Sequence, residues 1–187
     1  MGEKQIKESR RIRYSKMVLR ESLMELMKVK PIAEISIKEI CAEADISRST
    51  FYTYYADQFD LLKKIEEETI GFINNLLNKY SVFKNDKQAA LQMTEEVLNY
   101  VADNSKSIYV LFSENGNIRF QKELFRSMYQ KNFTNLYLEK LPDERTKEYC
   151  YLFMATGIVG IIYHWINNGM DTPIKELAQL IIKIASR

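Results

Sequence analysis

Arg48, Ser49, Tyr52 and Thr53 crowd into one short stretch of the chain. On a helix they share the face left free by Phe51 and either Tyr54 or Tyr55. Together they offer a guanidinium, hydroxyls and a phenol, all able to donate to phosphate oxygens or base edges. An outward Tyr52 beside a buried aromatic pair is hard to explain by packing, and the chemistry it suits is contact with duplex DNA. The plainer alternative is a solvated helix face. Nothing comparable points to catalysis. The sequence holds no recognisable Ser/His/Asp or Cys/His arrangement, no Gly-rich phosphate loop and no metal-spaced cluster. The acid pairs Glu95-Glu96 and Asp143-Glu144 are adjacent on a helix, point to different azimuths and read as solvated charge. His164 is the single histidine; with no His or nearby Cys partner it reads as a hydrogen-bonded core residue rather than a metal ligand. No enzyme activity, cofactor or metal is expected.

The outward face needs a short helix held at a fixed angle, and the flanking sequence supplies one. A first helix over residues 8–29 carries apolar Ile12, Met17, Leu19, Leu23, Leu26 and Met27, several at spacings of three and four. Lys30-Pro31 stops it, because proline disfavours helix in the residue before it. Ser36-Ile37-Lys38-Glu39 is a capping box, and Ile37, Ile40, Cys41 and Ala44 form the inner face of a helix about two turns long. Asp45 breaks it, Ile46 anchors the turn and Ser47 is a new N-cap. The second short helix runs over residues 48–55, and Asp57 caps a longer one reaching toward Leu77. Two short helices joined by a tight turn are the form of a helix-turn-helix, in which the first braces and the second enters the major groove.

Beyond residue 79 the pattern predicts amphipathic helices over residues 86–103, 105–113, 118–141, 143–168 and 174–186. Thr172 is placed as the cap of the last, with Pro173 at its first position. Six Gly and three Pro leave little punctuation for β-turns, and strict alternation is absent. The fold class expected is all-α: an N-terminal three-helix DNA-binding domain over 1–56, then a C-terminal helical bundle over 57–187 whose first helix the two share.

Net charge is only +2, but its distribution is uneven. Residues 1–20 hold seven basic groups (Lys4, Lys7, Arg10, Arg11, Arg13, Lys16, Arg20) against Glu3 and Glu8, whereas from Asp57 onward 16 bases face 17 acids. A basic head on a neutral body suits a phosphate backbone, where contact releases counterions. Cys41 and Cys150 lie far apart in apolar helical patterns, which is reduced, cytosolic usage; Cys41 reads as a small packing residue. The opening residues are too charged for a signal peptide and lack the myristoylation pattern. The most apolar run, residues 150–166, falls short of a bilayer span and reads as a buried helix.

Residues 35–62, Ile-Ser-Ile-Lys-Glu-Ile-Cys-Ala-Glu-Ala-Asp-Ile-Ser-Arg-Ser-Thr-Phe-Tyr-Thr-Tyr-Tyr-Ala-Asp-Gln-Phe-Asp-Leu-Leu, resemble the signature of TetR-family transcriptional regulators. The resemblance is dense over residues 10–65; beyond them only architecture resembles the family. It implies a homodimeric, cytoplasmic regulator that presents one recognition helix, 47–54, to each half-site of a pseudo-palindromic operator. It implies DNA contacts from Lys38, Ser47, Arg48, Ser49, Thr50, Tyr52, Thr53, Tyr54 and Gln58, with Tyr52 touching phosphate. Two positions depart from the pattern. Asp45 stands where the family has a turn glycine, although aspartate tolerates a left-handed conformation. Gln58 stands where a lysine usually holds a phosphate, and the basic arm before residue 20 is a candidate to compensate.

The segment 154–165 is apolar on nearly every face and so is expected to be buried on every face. Gly157 and Gly160 allow close helix approach. Either this is a central core helix, or, as the resemblance implies, Gly157, Gly160, Ile161, Trp165, Leu177, Leu180, Ile181 and Ile184 build a four-helix dimer interface. The aromatics Tyr109, Phe112, Phe125, Tyr129 and Phe133, with Phe120 and Tyr137, are core or the lining of a small-molecule effector pocket. The function expected is a repressor released by its effector. The alternative is an activator or adaptor of the same fold whose body binds a protein.

Overall fold

A computed structural model describes residues 10–81, 86–130 and 142–185. Its described elements are all helical: α1 (Arg10–Met27), α2 (Ile37–Glu43), α3 (Arg48–Tyr54), α4 (Gln58–Tyr80), α5 (Lys87–Asp103), α6 (Ser105–Leu111), α7 (Ile118–Gln130), α8 (Glu144–Asn167) and α9 (Ile174–Ala185), with a 3-10 turn at Ile32–Glu34. Phe133 and Tyr137 lie outside the described residues.

Local chemistry starts each helix where the side chains can cap it. Ser36, Ser47, Asp57, Asp86 and Asp143 all sit in extended backbone and accept amide protons from the first turn that follows, which satisfies donors that a helix leaves orphaned. One expected start differs. The carbonyl of Thr172 accepts the Trp165 indole N–H at 2.8 Å, and the Pro173 carbonyl instead accepts from the Leu177 amide at 3.0 Å. Pro173 is therefore the cap of α9 rather than its first helical residue.

The core of α1–α3 does not stop at the reading head. Leu19, Leu23, Met24 and Met27 of α1, Ile40 and Cys41 of α2, Phe51 of α3 and Leu61, Leu62 and Ile65 of α4 pack in one cluster. Val110, Leu111, Phe120 and Leu124 of α6 and α7 belong to the same cluster. Met17, expected inside, is 46 % exposed; it lies off the stripe of residues 19, 23 and 27. A second cluster joins α5, α6, α8 and α9 around Leu98, Ile108, Trp165, Leu177 and Ile181.

The apolar stretch of α8 departs from expectation twice. The full helix, Glu144–Asn167, passes for a membrane span by length and composition only, as the core helix of a folded domain also does. It is also not buried all round. Only Tyr151, Ala155 and Trp165 are buried, and Phe153 is 79 % exposed. Among the described residues, Leu152, Phe153, Thr156, Gly157, Gly160 and His164 form an exposed stripe along α8, and the remaining face of 150–166 is buried or half-buried.

Candidate nucleic-acid interface and internal cavity

The turn between α2 and α3 is set by Asp45, whose φ of 51° places it in the left-handed region. The chain then reverses tightly enough for the Ile46 amide to reach the Cys41 carbonyl at 3.0 Å. The Ser36–Glu39 capping box forms in full, and Lys30 adds an ion pair to Glu39 at 2.6 Å. That lysine, helped by the Ser36 amide and hydroxyl, holds the Glu39 carboxyl down at about 2. Helix α2 is thereby pinned to the end of α1.

Helix α3 buries Phe51 completely, with Tyr55 just beyond it 7 % exposed and Tyr54 partly covered. The opposite face is open: Arg48, Ser49, Tyr52 and Thr53 are exposed, and Tyr52 stands 58 % free, edge-on to Phe51. The Ser47 hydroxyl lies 2.9 Å from both the Ser49 and Thr50 hydroxyls and accepts from the Thr50 amide. The Thr53 hydroxyl donates to the Ser49 carbonyl at 3.0 Å. This web fixes the rotamers of the small polar residues, whereas Tyr52 and Arg48 project beyond it. Lys38 is exposed on α2, and Gln58 is half-buried at the first position of α4.

Sequence reasoning missed Lys64 and named Arg11 only as one of the basic residues of the N-terminal arm. Lys64 of α4 donates to the Tyr54 carbonyl at 2.9 Å and lies 4.9 Å from the Tyr55 ring centre. A cation there meets the negative end of α3 and satisfies one of its last carbonyls. Arg11 of α1 lines a groove with Asp45, Ser47, Thr50, Thr53 and Tyr54. No local pattern marks either, since each partner lies far away in sequence; the cluster of basic residues in 1–20 was the available signal. Burial pushes the Cys41 thiol up from its ordinary value, which fits packing and not reactivity.

The body holds a partly open cavity of about 110 Å³ to which α4 through α9 all contribute. Of the proposed effector aromatics, Phe112 lines it. Tyr109 does not: it stacks on Tyr163, which does, with ring centres 5.0 Å apart. Phe125 and Tyr129 pack instead around Tyr151 and Ala155, where the Tyr151 hydroxyl donates to the Phe125 carbonyl at 2.6 Å. Helical spacing put these aromatics on inward faces but not against the same space.

A family model of the TetR-type transcriptional regulator C-terminal region matches residues 88–187. The chain belongs to the TetR family. It is 25% identical over 174 residues to an HTH-type transcriptional regulator of Bacillus subtilis, YxbF; the match takes in 90% of this chain and 44% of that protein, so the chain spans less than half of its relative's length. The fold matches a TetR-family regulator from Bordetella parapertussis with a TM-score of 0.70 at 15% identity, over 91% of this chain and 93% of that one. It also matches the regulator FadR of Bacillus subtilis, solved in complex with stearoyl-CoA, with a TM-score of 0.65 at 13% identity over 91% and 97% of the two chains. At these identities the structures share a fold. Membership in this family makes the chain a TetR-type transcriptional regulator.

Within the TetR-type body, the residues assigned to a dimer face divide. Trp165, Leu177 and Ile181 are buried inside the chain and Ile161 packs against them; they hold α8 and α9 onto α5. Leu180 and Ile184 are about half exposed, and the two α8 glycines have open space where a Cβ would stand. His164 is hydrogen-bonded as expected, its Nε2 lying 2.8 Å from the Asn168 amide nitrogen, but it sits on the surface and not in the core. The apolar character of its neighbours, all round α8, is what made it look interior.

Proposed function

We propose that this regulator is a homodimeric repressor that holds a pseudo-palindromic operator with one α3 per half-site and releases it when a small molecule occupies the body cavity. In this reading residues 1–56 are the reader, residues 57–187 dimerise and sense, and the protein acts in the cytoplasm. The DNA contacts are Lys38, Ser47, Arg48, Ser49, Thr50, Tyr52, Thr53, Tyr54 and Gln58, joined by Arg11.

The observation that carries the reading is the reach of α4. Its first half packs Leu61, Leu62 and Ile65 into the reader core, and its second half puts Thr69, Ile73, Leu76 and Leu77 on the cavity wall. A helix of 23 residues spans about 34 Å, so a change of packing at one end reorients what is fixed to the other. Dimerisation is supported by the uncovered apolar face of α8 and α9: Leu152, Phe153, Leu180 and Ile184, with Gly157 and Gly160, where no neighbour within the chain requires glycine. The stearoyl-CoA held by the FadR neighbour supports a small-molecule effector.

The test is a gel shift with the DNA flanking the protein's own gene, run beside sedimentation of wild type and Phe153→Glu. The reading expects a saturable, salt-sensitive shift by a dimer. It expects Phe153→Glu to be folded, monomeric and weak on DNA. A monomeric wild type that binds the full site with unchanged affinity refutes it.

A further inference from the structure

We propose that the body cavity takes an uncharged hydrocarbon group of single-ring size, recognised by shape and apolar contact alone. This rests on reading the cavity as the effector site and says what class of molecule fits there.

The chemistry of the wall carries the inference. Among the described residues lining the cavity none is charged, and the only polar ones are Thr69, Thr94, Tyr100 and Tyr163. Three of the four already spend their hydroxyl proton within the protein. The Thr69 hydroxyl donates to the Ile65 carbonyl at 3.0 Å and that of Thr94 to the Ala90 carbonyl at 2.8 Å. The Tyr100 hydroxyl donates to Thr69 Oγ1 at 3.3 Å, and the Tyr163 ring stacks on Tyr109 with centres 5.0 Å apart. The rest of the wall is aliphatic, aromatic or thioether. Such a space offers a water molecule few partners and holds it weakly.

Size narrows the class further. An apolar cavity of roughly 150 Å³ accepts benzene, and this one measures about 110 Å³. One ring, or a comparable length of alkyl chain, fills it with little adjustment. A carboxylate, phosphate or ammonium inside would lose its hydration without gaining a partner. In a longer amphiphile, the charged end must therefore lie outside the cavity.

Isothermal titration calorimetry of the full chain with matched probes tests this: toluene, phenol, benzoate and benzylamine. Toluene is expected to bind, phenol roughly tenfold more weakly, and the two ions at least about 100-fold more weakly. Filling the space with Val159→Phe, or independently with Val97→Phe should the first variant misfold, is expected to abolish toluene binding. Benzoate or benzylamine within tenfold of toluene, phenol tighter than toluene, or no toluene binding by the wild type overturns the proposal. Operator release is read separately by gel shift. Toluene that binds without releasing DNA upholds the ligand class and refutes only the effector reading.

Discussion

Asp45 carries two separable costs, one conformational and one electrostatic, and replacing it tells them apart. Its φ of 51° is a region where the Cβ of an L-residue crowds the backbone, at roughly 1–2 kcal/mol for a typical residue and less for aspartate. Glycine removes that strain but gives back about 0.5–1 kcal/mol of chain entropy. Asp45→Gly is therefore expected to leave the urea midpoint nearly where it was, within about 1 kcal/mol. The charge is another matter. The carboxylate is exposed on the groove that Arg11, Ser47, Thr50 and Thr53 line, and the proposed DNA complex brings it toward phosphates. Two unit charges 4 Å apart in water interact by about 1 kcal/mol, which caps the gain near fivefold. Asp45→Asn tolerates the left-handed turn and isolates the charge. By fluorescence anisotropy, both variants are expected to bind DNA about threefold tighter at 50 mM salt, with the gain mostly screened by 300 mM. The gain appears on operator and random DNA alike, because repulsion of phosphates reads no base. An unchanged or weaker affinity for Asp45→Asn at low salt, or a gain confined to the operator, refutes the placement of this turn against the backbone.

Four further outcomes are expected. Arg48→Ala weakens operator binding more than random-DNA binding if the guanidinium reads a base, whereas Tyr52→Phe weakens both alike; competition gel shifts at fixed salt separate them, and equal losses for Arg48→Ala demote it to a phosphate contact. Gly116→Ala drives a Cβ into the Leu111 and Val110 carbonyl oxygens, an overpacking that costs about 1–3 kcal/mol in a urea titration. Glu66 is 9 % exposed with Oε1 unpartnered, and burial raises its pKa. A raised carboxyl pKa penalises the fold above the unfolded value, so Glu66→Gln is expected to stabilise by about 1 kcal/mol at pH 7 and to lose that advantage near pH 4. Glu39 is the opposite case: its carboxyl is held down at about 2 by Lys30 and Ser36, so its contribution is whole above the ordinary value and fades as pH falls toward 2. Lys30→Ala should move the acid-unfolding midpoint upward by circular dichroism, and an unmoved midpoint shows the pair to be inert.

What the sequence made legible was chemistry that acts within one turn. Ser36, Ser47 and Asp57 each sit three residues before the amide they cap, so the boundaries of α2, α3 and α4 follow from side-chain type and spacing alone. The inward Phe51 and outward Tyr52 follow in the same way, since neighbours on a helix point apart by a fixed angle. The body was legible as helices but not as an assembly. Periodicity marks Tyr109, Phe112, Phe125 and Tyr129 as inward without saying what each faces, and the structure sends Phe112 to the cavity while the others go elsewhere. Trp165 and Phe153 are both large aromatics of α8, yet one anchors the chain's own core and the other stands in solvent. Hydrophobicity cannot tell an internal partner from an external one. The cap of α9 moved by one residue: the Thr172 hydroxyl donates to the Asp171 carboxylate, and the first helical amide bonds fall to the Pro173 carbonyl.

The reader is fixed to the body at more than one place, and that limits how it can move. Helix α4 runs through both, but it is not the only tie. The Asn115 side chain, in the loop between α6 and α7, donates to the Met27 carbonyl at the end of α1 at 3.1 Å. Gln121 of α7 donates to the Leu111 carbonyl at the end of α6 at 2.9 Å, and Gly116 packs too closely on that turn for any side chain. Lys106 at the start of α6 adds an ion pair to Glu25 of α1 at 3.1 Å. Helix α1 is thus attached to both ends of α6, whose following residue, Phe112, lies on the cavity wall. A reader held by α4 alone could pivot about that helix; one also held through α1 must follow α6. In the proposed repressor, an occupant of the cavity that displaces Phe112 would therefore act on the reader from a second side. The exposed ion pairs contribute little on their own, so the stiffness of this link resides in the Asn115 cap, the Gly116 turn and the apolar cluster that α1 and α6 share.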